Sequence, residues 1–123
     1  MTTTTAADVR PWLGPAYEQM TDDQIDRFIT AWDEMGDRYP DPDEQYLRDA
    51  ALTAAVQYLL GEITPEQAGE VRRRAQAAAD EATAVSRQVA LMAIADGAEQ
   101  AATARAVGVH RQAIIKWLRE EAS

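Results

Sequence analysis

The chain has 123 residues, of which 46% are hydrophobic and 27% are charged, and its net charge is −9 at pH 7. This length is typical of one ordinary domain, and the apolar share favours a folded chain over a disordered one. The chain has no cysteine, which excludes disulfides, thiolate metal ligands and cysteine nucleophiles. Its single histidine excludes a histidine-rich metal site. We therefore expect neither a metal centre nor a cofactor.

The charge is distributed unevenly along the chain. Residues 1–64 carry a net charge of −9, residues 65–97 carry −1, and residues 98–123 carry +1. The acidic total argues against a protein that coats nucleic acid through an overall basic surface, and against adhesion to anionic membranes. The asymmetry indicates either separate tasks for the two ends or simply a solvated acidic surface.

Membrane and secretion signals are missing from the sequence. No apolar run approaches the roughly 20 residues that a membrane-spanning helix needs. The first residues, MTTTTAADVR, have neither the basic nor the apolar region of a secretory signal. We expect a cytoplasmic protein without a membrane partner.

Residues 1–20 are predicted to form a disordered or irregular lead-in. A run of threonines is followed by Pro11, Gly14 and Pro15, which interrupt regular structure. The next segment has a helix start, because Thr21 is a good N-cap and Gln24 stands at the capping-box position. Apolar residues then recur at helical spacing and predict one buried face: Ile25, Phe28, Ile29 and Trp32.

A second helix is predicted to begin after Asp41 and to run to about Leu60, where Gly61 stops it. Pro42 occupies the preferred first position, and Glu44 stands three residues after the cap. The acidic string at 41–44 also suggests a metal ligand set. Helix capping is the better interpretation, because a hard cation needs about six oxygen ligands that this stretch does not offer.

A third helix is predicted to begin at Thr64-Pro65 and to continue to about residue 95, which corresponds to about 46 Å if it is straight. Its apolar residues alternate in steps of three and four, the pattern of a coiled-coil seam: Ala68, Val71, Ala75, Ala78, Ala82, Val85, Val89 and Met92. We expect this seam to lie against the second helix or a second subunit, and packing within the chain's own bundle is an equal alternative. A break near Asp80–Thr83 would divide the helix into two. We assign residues 21–97 to an acidic helical region for interaction or dimerisation.

The Arg72-Arg73-Arg74 run on this helix has two interpretations. Three successive residues spread over about 300° of a helix, so they cannot form one basic patch. We therefore favour a solvated helix surface next to Glu66 and Glu70, with auxiliary phosphate contact as the alternative.

Residues 98–123 contain the most informative pattern. A short helix is predicted to end at Val107, and Gly108 supplies the positive φ that a sharp turn between two helices requires. Ala104 stands four residues before that glycine, where two steeply crossing helices leave little space. The other side chains predicted to close the corner are apolar: Val107, Val109, Ile114, Trp117 and Leu118.

Residues 100–119 resemble the helix-turn-helix of phage and bacterial repressors of the Cro type and of the resolvase C-terminal domain. The small residue, the turn glycine and the apolar residues stand at the spacing of that family, whereas Thr103 is polar where many members carry an aliphatic residue. Residues 1–97 resemble no family that we identify. The resemblance therefore implies a DNA-reading unit over residues 98–123 and does not identify a particular regulator.

The resemblance also implies which residues contact DNA, because the N-terminal part of the second helix enters the major groove. The residues then available to read bases are His110, Arg111, Gln112, Ile115 and Lys116. Those placed for phosphates are Gln100, Arg105 and Arg119. Catalysis by His110 is disfavoured, because the motif has no nucleophile or carboxylate relay beside it.

The sequence as a whole predicts an all-α protein, a helical bundle with a long alanine-rich helix and a C-terminal helix-turn-helix. The predicted function is sequence-specific binding of double-stranded DNA as a transcriptional repressor or regulator. One motif of such low charge binds weakly, which favours a homodimer on a pseudo-palindromic operator. The alternative is an adaptor of the phage packaging or plasmid partition type, whose acidic N-terminal helices bind a protein. We do not expect an enzyme.

Overall fold

The computed structural model describes residues 3–123, and within that range the secondary structure is helical without strands. This confirms the all-α prediction, and a helical bundle fits it. The six α-helices of the described range are α1 (Ala6–Leu13), α2 (Asp22–Arg38), α3 (Gln45–Leu59), α4 (Pro65–Ala95), α5 (Gln100–Val107) and α6 (Arg111–Ala122). Two 3-10 turns, Gly14–Gln19 and Pro42–Glu44, precede α2 and α3.

The chain divides into two compact units, Met1–Ala68 and Gly69–Ser123, which we call the N-terminal and C-terminal units. The predicted boundary lay at residues 97 and 98. The C-terminal unit is larger than predicted because the second half of α4 supplies part of the core on which α5 and α6 pack.

The predicted irregular lead-in is wrong for residues 6–19, which form α1 and the first 3-10 turn. Thr5 begins α1 with a capping box, in which its backbone N–H donates to the Asp8 carboxylate at 2.8 Å. Val9 is completely buried and Leu13 nearly so. Burial of this apolar face outweighs the proline inside the helix. The prediction for residues 1 and 2 lies outside the described range.

The core of the N-terminal unit forms where α1 and α3 pack on α2. Phe28 and Leu52 are almost completely buried, and Ile25 and Met35 extend the same face of α2. The ring of Trp12 stacks on Phe28 with centroids 5.6 Å apart. The predicted apolar face of α2 is therefore confirmed as core.

The predicted cap is confirmed at the start of α2, and Asp41 caps the 3-10 turn that leads into α3. The Thr21 hydroxyl accepts from the backbone N–H of Gln24 at 3.2 Å, and the side-chain oxygen of Gln24 accepts from the backbone N–H of Thr21 at 2.8 Å. The Asp41 carboxylate accepts from the N–H of Asp43 at 2.9 Å. Asp41 thus caps the 3-10 turn that precedes α3, whereas the side chain of Glu44 makes no capping hydrogen bond to α3.

Helix α4 is one continuous helix of 31 residues, which confirms the predicted long helix, and the alternative of a break near Asp80–Thr83 is not observed. Every residue from Glu70 to Val85 is exposed. The large members of the predicted seam are exposed as well, with 65% of Val71, 65% of Val85, 57% of Val89 and 59% of Met92 accessible. The large apolar side chains of the predicted seam are therefore accessible along α4, and the packing of the seam against another helix or a second subunit stays a prediction.

Candidate nucleic-acid interface

The corner between α5 and α6 is built around Gly108. This residue has φ 78° and ψ 30°, in the left-handed region, and its N–H donates to the carbonyl of Arg105 at 3.3 Å. The N–H of Val109 donates to the carbonyl of Ala104 at 3.0 Å, which satisfies a second carbonyl at the end of α5. The chain then leaves the turn in an extended conformation at His110 and enters α6.

The inner side of the α5–α6 corner is apolar. Ile114 is completely buried, and Ala104 and Trp117 are buried. Ala90 of α4 is completely buried in the same cluster. The remaining predicted corner residues are half-buried and pack on this cluster: Val107, Val109 and Leu118. The packing roles predicted from the sequence agree with these contacts.

Thr103 is buried in α5 although it is polar. Its hydroxyl donates to the backbone carbonyl of Glu99 at 2.8 Å, one turn earlier. A hydrogen bond within the helix therefore satisfies the hydroxyl, and the aliphatic residue that the resemblance led us to expect is not needed at this position.

An ion pair joins α4 to the end of α6 within the C-terminal unit. Nη2 of Arg87 lies 2.9 Å from the Glu120 carboxylate and 3.7 Å from that of Glu121, and its guanidinium lies 5.9 Å from the Trp117 ring centroid. Sequence reasoning missed Arg87. The available signal was the Glu120-Glu121 pair near a helix C-terminus, where carboxylates are unfavourable unless a cation balances them.

The five predicted base-reading residues lie along α6 and its start. His110, Arg111, Gln112 and Lys116 are exposed, whereas Ile115 is half-buried. The side chain of His110 makes no capping hydrogen bond to α6. The described part of the chain thus leaves four polar or basic side chains of this stretch accessible.

The predicted phosphate-contacting residues differ in accessibility. Arg105 and Arg119 are exposed and Gln100 is half-buried. Within residues 3–123, neither these arginines nor Arg111 and Lys116 form an ion pair. Four cationic side chains of α5 and α6 therefore form no ion pair within the described residues, whereas Glu120 and Glu121 lie within 4 Å of Arg87.

The Arg72-Arg73-Arg74 run lies elsewhere, on the exposed first half of α4. Arg73 and Arg74 pair with the Glu70 carboxylate at 3.2 and 2.9 Å. This agrees with the solvated-helix interpretation of the run. No cluster of three or more acidic or histidine side chains suited to a metal ion occurs among residues 3–123.

Comparison with family models, with curated proteins and with solved structures found no match for this chain. No helix within residues 3–123 combines the length and the apolar character needed to cross a membrane.

Proposed function

We propose that the protein is a non-catalytic, sequence-specific DNA-binding protein of the cytoplasm, a transcriptional repressor or regulator, with residues 98–123 acting as a helix-turn-helix. In this proposal α6 enters the major groove from its His110 end. Two copies bind a pseudo-palindromic operator.

The observation that carries the proposal is the division of α6 into two faces. Ile114 and Trp117 are buried against α4 and α5, whereas Arg111, Gln112 and Lys116 are accessible. A recognition helix needs this division, because one side must hold the helix rigidly and the other must reach base edges.

Arg111 and Gln112 are the proposed base readers. An arginine fork matches the two acceptors of guanine, and a glutamine amide matches the donor and acceptor of adenine. Arg105 of α5 and Arg119 of α6 are exposed and are the proposed phosphate contacts, which set register without reading sequence. Ile115 remains a candidate for a thymine methyl, and its half-burial limits that contact to its outer atoms.

Selection of bound sites from random DNA, followed by gel retardation, tests the proposal. The wild type is expected to enrich a pseudo-palindrome. The Arg111→Ala, Gln112→Ala double variant is expected to lose discrimination, since each bidentate contact contributes about 1–3 kcal/mol. Failure to enrich any sequence, or full retention of discrimination by the double variant, would reject the proposal.

A matched control removes the same charge and the same amide from the N-terminal unit. Gln19 and Arg38 are both exposed there. The Gln19→Ala, Arg38→Ala variant is expected to bind DNA as the wild type does. Equal loss in both double variants would indicate a nonspecific charge effect and contradict base reading by α6.

A second candidate function is an adaptor that binds a protein through the N-terminal unit. Two large aromatic side chains of that unit, Tyr46 and Tyr58, are exposed on α3. Residues 1–64 also have a net charge of −9, which equals the net charge of the whole chain. Salt distinguishes the two functions, because DNA binding through several phosphates weakens steeply as salt rises, whereas an apolar protein contact responds little.

A further inference from the structure

Glu120 lies on α6 between the accessible face of the helix and the apolar cluster of the C-terminal unit. At about 100° per residue, it is about 40° around the helix from Lys116 and about 60°, in the opposite direction, from the buried Trp117. Lys116 precedes it by one turn, and opposite charges four residues apart on a helix attract each other. Two partners therefore compete for Glu120, the lysine of its own helix and a cation of α4.

The structure pairs Glu120 with α4. Nη2 of Arg87 lies 2.9 Å from Oε2 of Glu120 and 3.7 Å from Oε1 of Glu121. Lys116 is exposed, and within residues 3–123 it forms no ion pair. The ammonium of Lys116 is thus free, while the carboxylate one turn after it is engaged by Arg87.

Lys116 differs in its neighbours from the other cationic side chains of α5 and α6. Arg105, Arg111 and Arg119 have no aspartate or glutamate three or four residues away in the chain. Lys116 has one, which is Glu120. Among these four proposed DNA contacts, the lysine is therefore the one whose charge its own helix can neutralise. The ion pair with α4 removes that competitor.

We infer that Arg87 is a positioning residue of the DNA-binding surface, because it holds Glu120 against α4 and so keeps Lys116 free to contact DNA. The inference rests on the proposed function, since a free lysine matters for binding only if α6 meets DNA. The partner that Glu120 chooses is a property of the protein alone. It is therefore tested without DNA, and the two proposals can fail separately.

The expected effect follows from the weakness of ion pairs along a helix. When Arg87 is removed, Glu120 turns to Lys116, and an exposed pair of this kind engages about half of the lysine. DNA then binds only the free fraction, which lowers the affinity about twofold for one copy and about fourfold for two copies on one operator. The test therefore depends on variants that are expected to respond in opposite directions.

Trace acetylation with acetic anhydride measures the state of Lys116 directly, because the chain has a single lysine. Only the deprotonated amine reacts, and a carboxylate beside it stabilises the protonated form. We expect Arg87→Ala to slow acetylation of Lys116 about twofold relative to added Nα-acetyllysine. Arg87→Ala with Glu120→Gln is expected to restore the wild-type rate. An unchanged rate in Arg87→Ala would overturn the inference.

Gel retardation at low salt, on the operator selected with the wild type, measures the consequence for DNA. Arg87→Ala is expected to weaken binding about fourfold, and adding Glu120→Gln is expected to restore it. Glu120→Gln alone is expected to bind at least as tightly as the wild type, although it also breaks the ion pair. If the pair acted only by holding α6 in place, Glu120→Gln would weaken binding, and that result would overturn the inference even if Arg87→Ala unfolds.

Two controls separate the position of the charge from the net charge. Arg87→Lys keeps the cation and is expected to retain the wild-type affinity. Glu81 is exposed on α4 and forms no ion pair within the described residues. Arg87→Ala with Glu81→Gln has the wild-type net charge and is expected to bind as weakly as Arg87→Ala.

Equal restoration by Glu81→Gln and by Glu120→Gln would mean that net charge alone sets the affinity, and it would overturn the inference. A wild type that selects no DNA sequence would reject the proposed function. The acetylation rates of Lys116 would then still decide whether Arg87 keeps Glu120 from the lysine.

Discussion

Arg87 and Glu120 are joined by an ion pair of 2.9 Å that ties the second half of α4 to the last turn of α6. The two side chains are 33% and 43% exposed, so water screens their attraction partly. The same arginine lies near the ring of Trp117, which places its charge over the edge of the apolar cluster. The pair therefore helps to hold α6 against α4.

A double-mutant cycle of Arg87→Ala and Glu120→Ala measures this contact. We expect a coupling free energy of about 0.2–1 kcal/mol, since the pair is partly exposed. The coupling should decrease as salt is raised, because ions screen the attraction. Denaturant unfolding of the four proteins at two salt concentrations gives both quantities. A coupling that is zero at low salt would contradict the role assigned to the pair.

Gly108→Ala is expected to destabilise the C-terminal unit by about 1–2 kcal/mol, because an alanine at positive φ is strained. A Cβ at this position meets no atom within 4 Å, so backbone strain is the only cost. Gly36→Ala is the control, since Gly36 lies inside α2 and its nearest contact is an ordinary 3.9 Å. That change should stabilise the N-terminal unit by about 0.5–1 kcal/mol. Thermal unfolding distinguishes the two, and equal effects would contradict the role of the turn.

Two adjacent isoleucines of α6 should respond differently to truncation. Ile114→Ala removes a completely buried side chain and should cost about 2–5 kcal/mol, whereas Ile115→Ala removes a half-buried one and should cost roughly half of that or less. Amide hydrogen exchange in α6 measures both changes in the C-terminal unit. A larger loss for Ile115→Ala would mean that α6 is rotated relative to the arrangement described.

Thr21→Ala is expected to lower the free energy of unfolding of the N-terminal unit by about 1 kcal/mol, because it removes the N-cap of α2. Thr30→Ala is the matched control. The Thr30 hydroxyl is exposed and donates only to the Asp26 carbonyl within α2, so its loss should change that free energy by about 0.5 kcal/mol or less. Urea unfolding compares the two variants. Indistinguishable midpoints would show that the capping box contributes little.

The starts of α2, α3 and α4 could be predicted because their signals are local. A cap residue and its partner three positions later satisfy the same few backbone groups in any fold, as Thr21 with Gln24 does. The lead-in was mispredicted because Pro11 and Gly14 are also local signals, and here burial of Val9 outweighs them. The Thr5 and Asp8 pair was the signal that could have identified α1.

The sequence by itself determined the helical class, the positions of the caps and the turn at Gly108, since each depends on spacing within a few residues. Only the tertiary structure decided that α4 is unbroken, that Arg87 holds the end of α6, and that Val71, Val85, Val89 and Met92 are exposed. Helical periodicity shows which side chains share a face, but it does not show what that face contacts. Burial depends on residues that are distant in the chain, and their positions are set by packing.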